Sequence, residues 1–148
     1  MALDSTQLTI FKAAILSDPA LIPDVSAGNT GAIAAYYNVN STGNIWKPRI
    51  NTTELNTAVD WTEFRVLSAQ LQNTYMTMIN PGFLDATSPL IRGGITTCFT
   101  AGTATRTNLT NIAQRPPTRF EALFVSASAS AIFGQLCTNE LVIQALGS

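Results

Sequence analysis

Carboxylates are the residues of this chain best placed for acid–base chemistry, because its 148 residues include no histidine. Without histidine the chain cannot build Ser-His-Asp or Cys-His catalysis, and the usual histidine-containing zinc and iron sites are excluded as well. The closest carboxylate pair in a predicted helix is Asp60 with Glu63, and two carboxylates suffice for a glycosidase mechanism. The same spacing is typical of a capping box that begins a helix, and we favour this structural interpretation.

The cysteines and glycines do not form a known cofactor motif. Cys98 and Cys137 lie far apart, each among apolar or small residues, which is typical of buried free thiols. They lack the paired spacing of a zinc ribbon, and the acidic residues lack a calcium-loop pattern. No glycine cluster precedes the Lys and Ser/Thr of a phosphate-binding loop. We therefore expect no cofactor, no metal and no enzymatic activity.

The composition favours contacts with other proteins. Charged residues make up 11% of the chain, against a usual value of about 25%. Ser, Thr, Asn and Gln take their place, so much of the surface is neutral, and charged residues are depleted where interface cores form. The net charge of −1 argues against nucleic-acid binding as a main activity. If many copies form a ring, basic residues could still line one surface and meet DNA passing through. These residues are Lys47, Arg49, Arg65, Arg92, Arg106, Arg115 and Arg119.

No apolar run approaches the length of about 20 residues that spans a bilayer. The N-terminus also lacks the basic start and apolar stretch of a signal peptide. Synthesis in the cytoplasm is the expectation that follows.

Apolar residues recur mainly at helical spacing, which predicts a mainly α fold. We expect a single compact helical domain of about five to seven helices. The helices are expected near residues 5–17, 30–37, 61–79, 89–99, 108–114, 118–125 and 138–146. A strand is the alternative for the last of these, because Leu141, Val142 and Ile143 are consecutive apolar residues. The pair Gly93-Gly94 indicates close packing of its helix against a neighbour.

A loop near residues 38–53, with room for a short hairpin, is expected to project from this domain. Trp46, beside Lys47 and Arg49, is a candidate interface anchor, because Trp and Arg are enriched among binding hot spots. Alternatively, Trp46 pins its own loop to the core.

Two segments near the C-terminus are further candidates for contacts. Arg115 and Arg119 flank a Pro-Pro corner before Glu121, an arrangement that suits either an intersubunit ion pair or a contact within the fold. Residues 126–131 are low in complexity, and Ile132 and Phe133 are the first large apolar residues after them. We therefore divide the chain into a core at residues 1–125 and an extended docking segment at residues 126–148.

Four short motifs occur along the chain. They are Leu-Asp-Ser-Thr-Gln-Leu-Thr-Ile-Phe-Lys-Ala-Ala-Ile at residues 3–15, Ile-Trp-Lys at 45–47, Ile-Arg at 91–92 before Gly-Ile at 94–95, and Arg-Pro-Pro-Thr-Arg-Phe-Glu-Ala-Leu-Phe at 115–124. Together these motifs resemble a family of small structural proteins of tailed-phage virions. Arg92, Arg119 and Glu121 lie within these motifs, although the resemblance assigns them no defined role.

Within that family, a short helical domain with a projecting loop is similar to head-to-tail connector, or adaptor, proteins. The resemblance implies a ring, dodecameric in the simplest case, between the portal protein and the tail or terminator protein at the head–tail junction of the virion. Such a ring closes through heterologous side-to-side contacts between identical subunits.

Other functions are compatible with the same sequence. A head-decoration, tail or baseplate component would have a similar composition, although a tail-tube protein should contain more strands. A carboxylate-based lytic enzyme and a cytoplasmic helical binding module are the remaining alternatives.

Overall fold

A computed structural model describes residues 2–125 and 132–148 of the chain, and these residues are mainly helical, as the sequence predicts. The helices are α1 (Ser5–Ser17), α2 (Ile22–Ala27), α3 (Thr30–Tyr37), α4 (Thr52–Ala58), α5 (Trp61–Arg65), α6 (Ala69–Ile79), α7 (Pro89–Cys98), α8 (Ala104–Ala113), α9 (Arg119–Ala122) and α10 (Asn139–Gly147), with a 3₁₀ turn at Pro19–Leu21. The strands are β1 (Ile45–Trp46), β2 (Ile50–Asn51), β3 (Phe83–Leu84) and β4 (Gln114–Arg115).

The chain forms two compact units. The terminal unit combines Met1–Gly43 with Pro116–Ser148, and the central unit is the continuous stretch Asn44–Arg115. The central unit thus falls inside the segment expected to be one core at residues 1–125.

The terminal unit packs α1, α3, α9 and α10 around a cluster of aromatic rings. Phe11 lies edge-on to Tyr37 and to Phe120, with ring centroids 5.1 Å apart in both pairs. Leu141 and Val142 of α10 are buried in the same cluster. This packing stabilises the unit because aromatic pairs prefer edge-to-face geometry and bury large apolar areas.

The central unit is built from α4–α8 and two small antiparallel sheets. Strand β1 pairs with β4, so that Trp46 lies opposite Gln114, and β2 pairs with β3, so that Ile50 lies opposite Leu84. Tyr75 and Phe99 meet edge-on in its core with centroids 5.7 Å apart. Helix α6 packs along α7, and a Cβ built on Gly94 of α7 would lie 2.6 Å from Met78 Sδ. The close packing predicted for this glycine pair is therefore confirmed at Gly94.

Helix N-termini are fixed by side chains at the positions where the sequence suggests caps. Asp4 and Thr118 each form a complete capping box, with Gln7 and Glu121 respectively. Ser88 caps α7 immediately before its first-turn proline. A capping oxygen satisfies an amide that the helix leaves unpaired, so these ends are set by local sequence.

The helix predicted at residues 61–79 is two helices. Helix α5 ends at Arg65, and Ser68 caps the start of α6 by accepting from the Leu71 amide. The expected capping box at Asp60 is also incomplete, because Asp60 caps α5 while the Glu63 side chain binds elsewhere. With α2 and α4, which were not predicted, this split raises the number of described helices to ten.

The segment at residues 38–53, which was expected to project as a loop, instead packs and pairs within each unit. Asn40 bridges to Thr118 in the terminal unit, and Ile45 and Ile50 are buried in the central unit. Pairing of their strands holds this segment, because buried backbone groups must find hydrogen-bond partners.

The C-terminal residues also differ from the extended tail that was expected. The helix predicted at residues 138–146 is confirmed by α10, which packs on α1 and α3. Its apolar face, with Leu141, Val142 and Ala145, is buried, and this burial favours a docked helix over an extended tail. Residues 126–131, the low-complexity part of the predicted docking segment, lie outside the described residues.

Candidate functional site

The carboxylate pair Asp60 and Glu63 forms a structural clamp. Asp60 Oδ1 accepts from the Thr62 amide at 2.9 Å and caps α5. Glu63 reaches the start of α8, where its two oxygens accept from the Ala104 and Thr105 amides at 2.9 and 2.7 Å. Hydrogen bonds from the hydroxyl and amide of Thr105 hold the pKa of Glu63 below its usual value. The pair therefore joins two helix N-termini.

Most other carboxylates of the chain have the same kind of role. Seven of its nine acidic residues accept a hydrogen bond from a backbone amide. They are Asp4, Asp18, Glu54, Asp60, Glu63, Asp85 and Glu121. These side chains satisfy helix ends and turns, which explains their positions without a catalytic role.

Arginines of the predicted interface stack on aromatic rings of their own unit. The Arg92 guanidinium lies 4.8 Å from the centroid of Trp46, and Arg49 lies 4.1 Å from that of Phe83. Arg92 Nη1 also donates to the carbonyls of Ala86 and Thr87 at 2.7 and 3.0 Å. Trp46 is thus held against the unit by Arg92, as in the alternative that it pins its own segment.

Lys47 and Arg115 lie in the sheet region of the same unit. Lys47 Nζ lies 3.9 Å from Glu54 Oε1, and its backbone amide donates to the Ala113 carbonyl. Arg115 is half-buried in β4, opposite Ile45. The sequence predicts Lys47 in the projecting loop and Arg115 at the Pro-Pro corner, and it does not predict that pairing of β1 with β4 brings these segments together.

Arg119 of the terminal unit belongs to a small polar network with Tyr36 and Asp18. Its guanidinium lies 4.0 Å from the Tyr36 ring centroid, and its Nη1 donates to the Tyr36 carbonyl at 3.3 Å. The Tyr36 hydroxyl donates to Asp18 Oδ2 at 2.7 Å. This bond lowers the pKa of Asp18 and raises the pKa of Tyr36, because it stabilises the ionised carboxylate and the neutral phenol.

Glu121 is an internal anchor of the terminal unit, with only 1% of its surface exposed. Its oxygens accept from the amides of Thr118 and Gly134 at 2.9 and 2.8 Å. The second bond fixes the chain next to Ile132, which is buried in the core, and Phe133, which is half-buried. The structure therefore places Glu121 and Ile132 inside the unit.

A cavity of about 270 Å³ in the central unit brings together residues that sequence reasoning treated separately. Its walls are apolar side chains of β3, α7 and α8, and Trp46 lines it as well. The wall residues are Leu84, Ile91, Ile95 and Leu109. Arg92 and Arg106 also line it. The cavity could not be predicted because it arises from the packing of α7 near α8, which periodicity within one helix does not reveal.

Within residues 2–125 and 132–148, no group of three His, Cys, Asp or Glu residues is placed to hold a metal ion. None of the helices described is long and apolar enough to cross a membrane. Cys98 and Cys137 are buried free thiols, as predicted. Burial raises the pKa of Cys98 and brings that of Cys137 to about 12, because it disfavours the thiolate.

Comparison of the chain with family models, curated proteins and solved structures finds no match.

Proposed function

We propose that this chain is a non-enzymatic structural subunit of a tailed-phage virion, and that it works as a head-to-tail connector by assembling into a ring between portal and tail. The observation that carries the assembly part is the number of large apolar side chains left exposed on a surface with few charges. Leu90 is 88% exposed and Val66 is 80% exposed, and eight further large apolar residues lie on the surface. They are Leu16, Ile22, Val39, Trp61, Met76, Val125, Leu136 and Ile143.

These exposed residues occur in both units. Leu90 and Val66 belong to the central unit, whereas Ile22 and Leu136 belong to the terminal unit. A subunit of a closed ring needs two different contact surfaces, because each copy meets one neighbour on each side. Exposed apolar residues on both units, in a chain of which only 11% of residues are charged, are compatible with such paired surfaces.

The use of the carboxylates supports the non-enzymatic part of the proposal. A general acid or nucleophile must reach substrate, yet Asp60 and Glu63 are engaged with backbone amides at the starts of α5 and α8. The placement in a phage neck rests on the resemblance of the motifs at residues 3–15, 45–47, 91–95 and 115–124.

Size-exclusion chromatography with light scattering tests the assembly part. The wild-type chain is expected to form oligomers, and Leu90→Glu with Val66→Glu, or Ile22→Glu with Leu136→Glu, is expected to yield folded monomers. The control is Thr77→Glu, which adds a charge at an exposed position of α6 and should leave the oligomer intact. The proposal fails if the wild type is a monomer alone and with portal protein, or if all these variants assemble as the wild type does.

A further inference from the structure

The cavity of the central unit combines apolar walls with two arginines, and Arg106 is the less satisfied of the two. It is half-buried on α8, and within residues 2–125 and 132–148 its guanidinium has no hydrogen-bond or ion-pair partner. Its backbone, by contrast, is fully engaged in the helix, with the Arg106 carbonyl accepting from the Thr110 hydroxyl at 2.9 Å. A half-buried guanidinium beside apolar walls can form charge-assisted hydrogen bonds with an incoming anion.

Arg92 is the second cation, and it is held in place. Both described hydrogen bonds of its guanidinium leave from Nη1, toward the Ala86 and Thr87 carbonyls. The face of the group rests on Trp46. Nε and Nη2 therefore remain available to an acceptor while the planar group is already oriented, which reduces the entropy lost on binding.

The remaining lining residues offer no negative charge to these cations. They are apolar except for Thr96 and Thr110, which are exposed. The hydroxyls of these threonines donate within their own helices, to the Gly93 and Arg106 carbonyls at 2.9 Å each. A ligand that complements the cavity must therefore supply both an anion for the arginines and an apolar group for the walls.

We propose that this cavity binds a carboxylate adjacent to a large apolar side chain, presented by a peptide segment of a partner protein. Guanidinium groups favour carboxylate oxygens, which they can bind in bidentate fashion. The cavity volume of about 270 Å³ lies at the lower limit of small-molecule pockets and suits one or two side chains of a docking segment. The protein source of the ligand rests on the proposed role as an assembly subunit.

The probe for this inference is the blocked tetrapeptide acetyl-Gly-Leu-Asp-Gly-amide, titrated into the full chain carrying Trp61→Phe. In that background Trp46 is the remaining tryptophan and reports from the cavity. Saturable changes in Trp46 fluorescence, with matching shifts of α7 and α8 amides in ¹⁵N NMR spectra, are expected. Replacing Asp by Asn or Leu by Gly in the peptide should weaken binding about tenfold each.

Variants of Arg106 test whether its guanidinium binds the carboxylate of the peptide. Arg106→Gln should weaken binding of the Asp peptide about tenfold, and Arg106→Lys less, because lysine keeps the charge but not the bidentate geometry. The matched control is Arg49→Gln, which removes another stacked arginine of the same unit that does not line the cavity. This control should bind the peptide as the parent chain does.

Threonine variants test the location. Thr110→Phe places a ring on an exposed lining position and should abolish binding. Thr107→Phe places the same ring on an exposed position of α8 outside the cavity, and binding should be unchanged. Circular dichroism verifies that each variant keeps the parent's helical content.

The inference is overturned if the Asp peptide gives no saturable response, if the Asn peptide binds equally well, or if Arg49→Gln and Arg106→Gln weaken binding alike. Octanoate distinguishes the source of the carboxylate. Stronger saturation by octanoate than by the peptide would contradict a protein partner. These outcomes are independent of ring formation: a chain that assembles but does not bind the peptide refutes only the cavity inference, and the reverse result refutes only the connector role.

Discussion

Replacement of Glu121 by alanine should destabilise the terminal unit more than any other single carboxylate change. The side chain is 1% exposed, and its two oxygens accept from the Thr118 and Gly134 amides. Alanine would remove the acceptor of both amides and would free the chain beside Ile132 from its attachment to α9. The free energy of unfolding should therefore fall for two reasons, the loss of two hydrogen bonds and looser packing around Ile132.

The size of the effect follows from the two hydrogen bonds. A bond to a charged group contributes about 1.5–3 kcal/mol. Part of the loss is recovered by rearrangement and by water, so we expect the free energy of unfolding to fall by about 3 kcal/mol, a large share of the usual 5–15 kcal/mol. Glu121→Gln should cost less, because it keeps the shape and one acceptor oxygen.

The assay is urea unfolding followed by far-UV circular dichroism, which reports on the helices of both units. Both tryptophans, Trp46 and Trp61, lie in the central unit, so fluorescence measured in parallel reports on that unit alone. The loss in the alanine variant should be visible in the dichroism signal. Amide exchange of α10 should accelerate, since Gly134 and α10 belong to the same unit.

Glu140→Ala is the matched control. Glu140 is an exposed carboxylate in the first turn of α10, in the same unit, where interaction with the helix dipole contributes about 0.3–1 kcal/mol. If Glu121→Ala costs no more than Glu140→Ala, the assignment of Glu121 as a buried anchor is incorrect.

Three further predictions concern the packing, the thiols and the pH dependence. Gly93→Ala should raise the free energy of unfolding by about 0.5–1 kcal/mol, because the added Cβ meets open space. Gly94→Ala should not be stabilising, because its Cβ would clash with Met78 of α6. Thermal melts of both variants measure the difference. Burial raises the pKa of Cys137 to about 12, so near pH 8 this thiol should react with a disulfide reagent far more slowly in the native chain than in urea. Cys98 should be similarly protected. Equal rates in the native and the urea-unfolded chain would contradict the burial of these thiols. The pKa of Glu63 is lower in the folded chain, so its stabilising contribution is present above the unfolded value of about 4.5 and is lost as pH falls through the folded value. Glu63→Gln should therefore melt earlier than the wild type at neutral pH and converge with it in acid; a constant difference would contradict this role.

Local features of the fold were predictable because their causes are local. The caps at Asp4, Ser88 and Thr118, and the extent of α3, follow from residues within one turn of each helix end. The end of α5 was not predictable by periodicity, because the apolar spacing continues through the break before Ser68. A cap inside a continuous apolar pattern gives little signal.

The features that the sequence did not predict depend on contacts between residues that are distant in the chain. Pairing of Trp46 with Gln114, and attachment of Glu63 to the start of α8, join segments that share no local pattern. The sequence offers Trp46 and Arg92 as separate interface candidates, but their stacking, and the cavity they share with Arg106, depend on tertiary packing.

Electron microscopy of the full chain, alone and mixed with portal protein, tests the central proposal most directly. The connector role predicts closed rings of one copy number, about twelve in the simplest case, seated on the portal. A monodisperse 15.8 kDa monomer that never joins portal protein would contradict it.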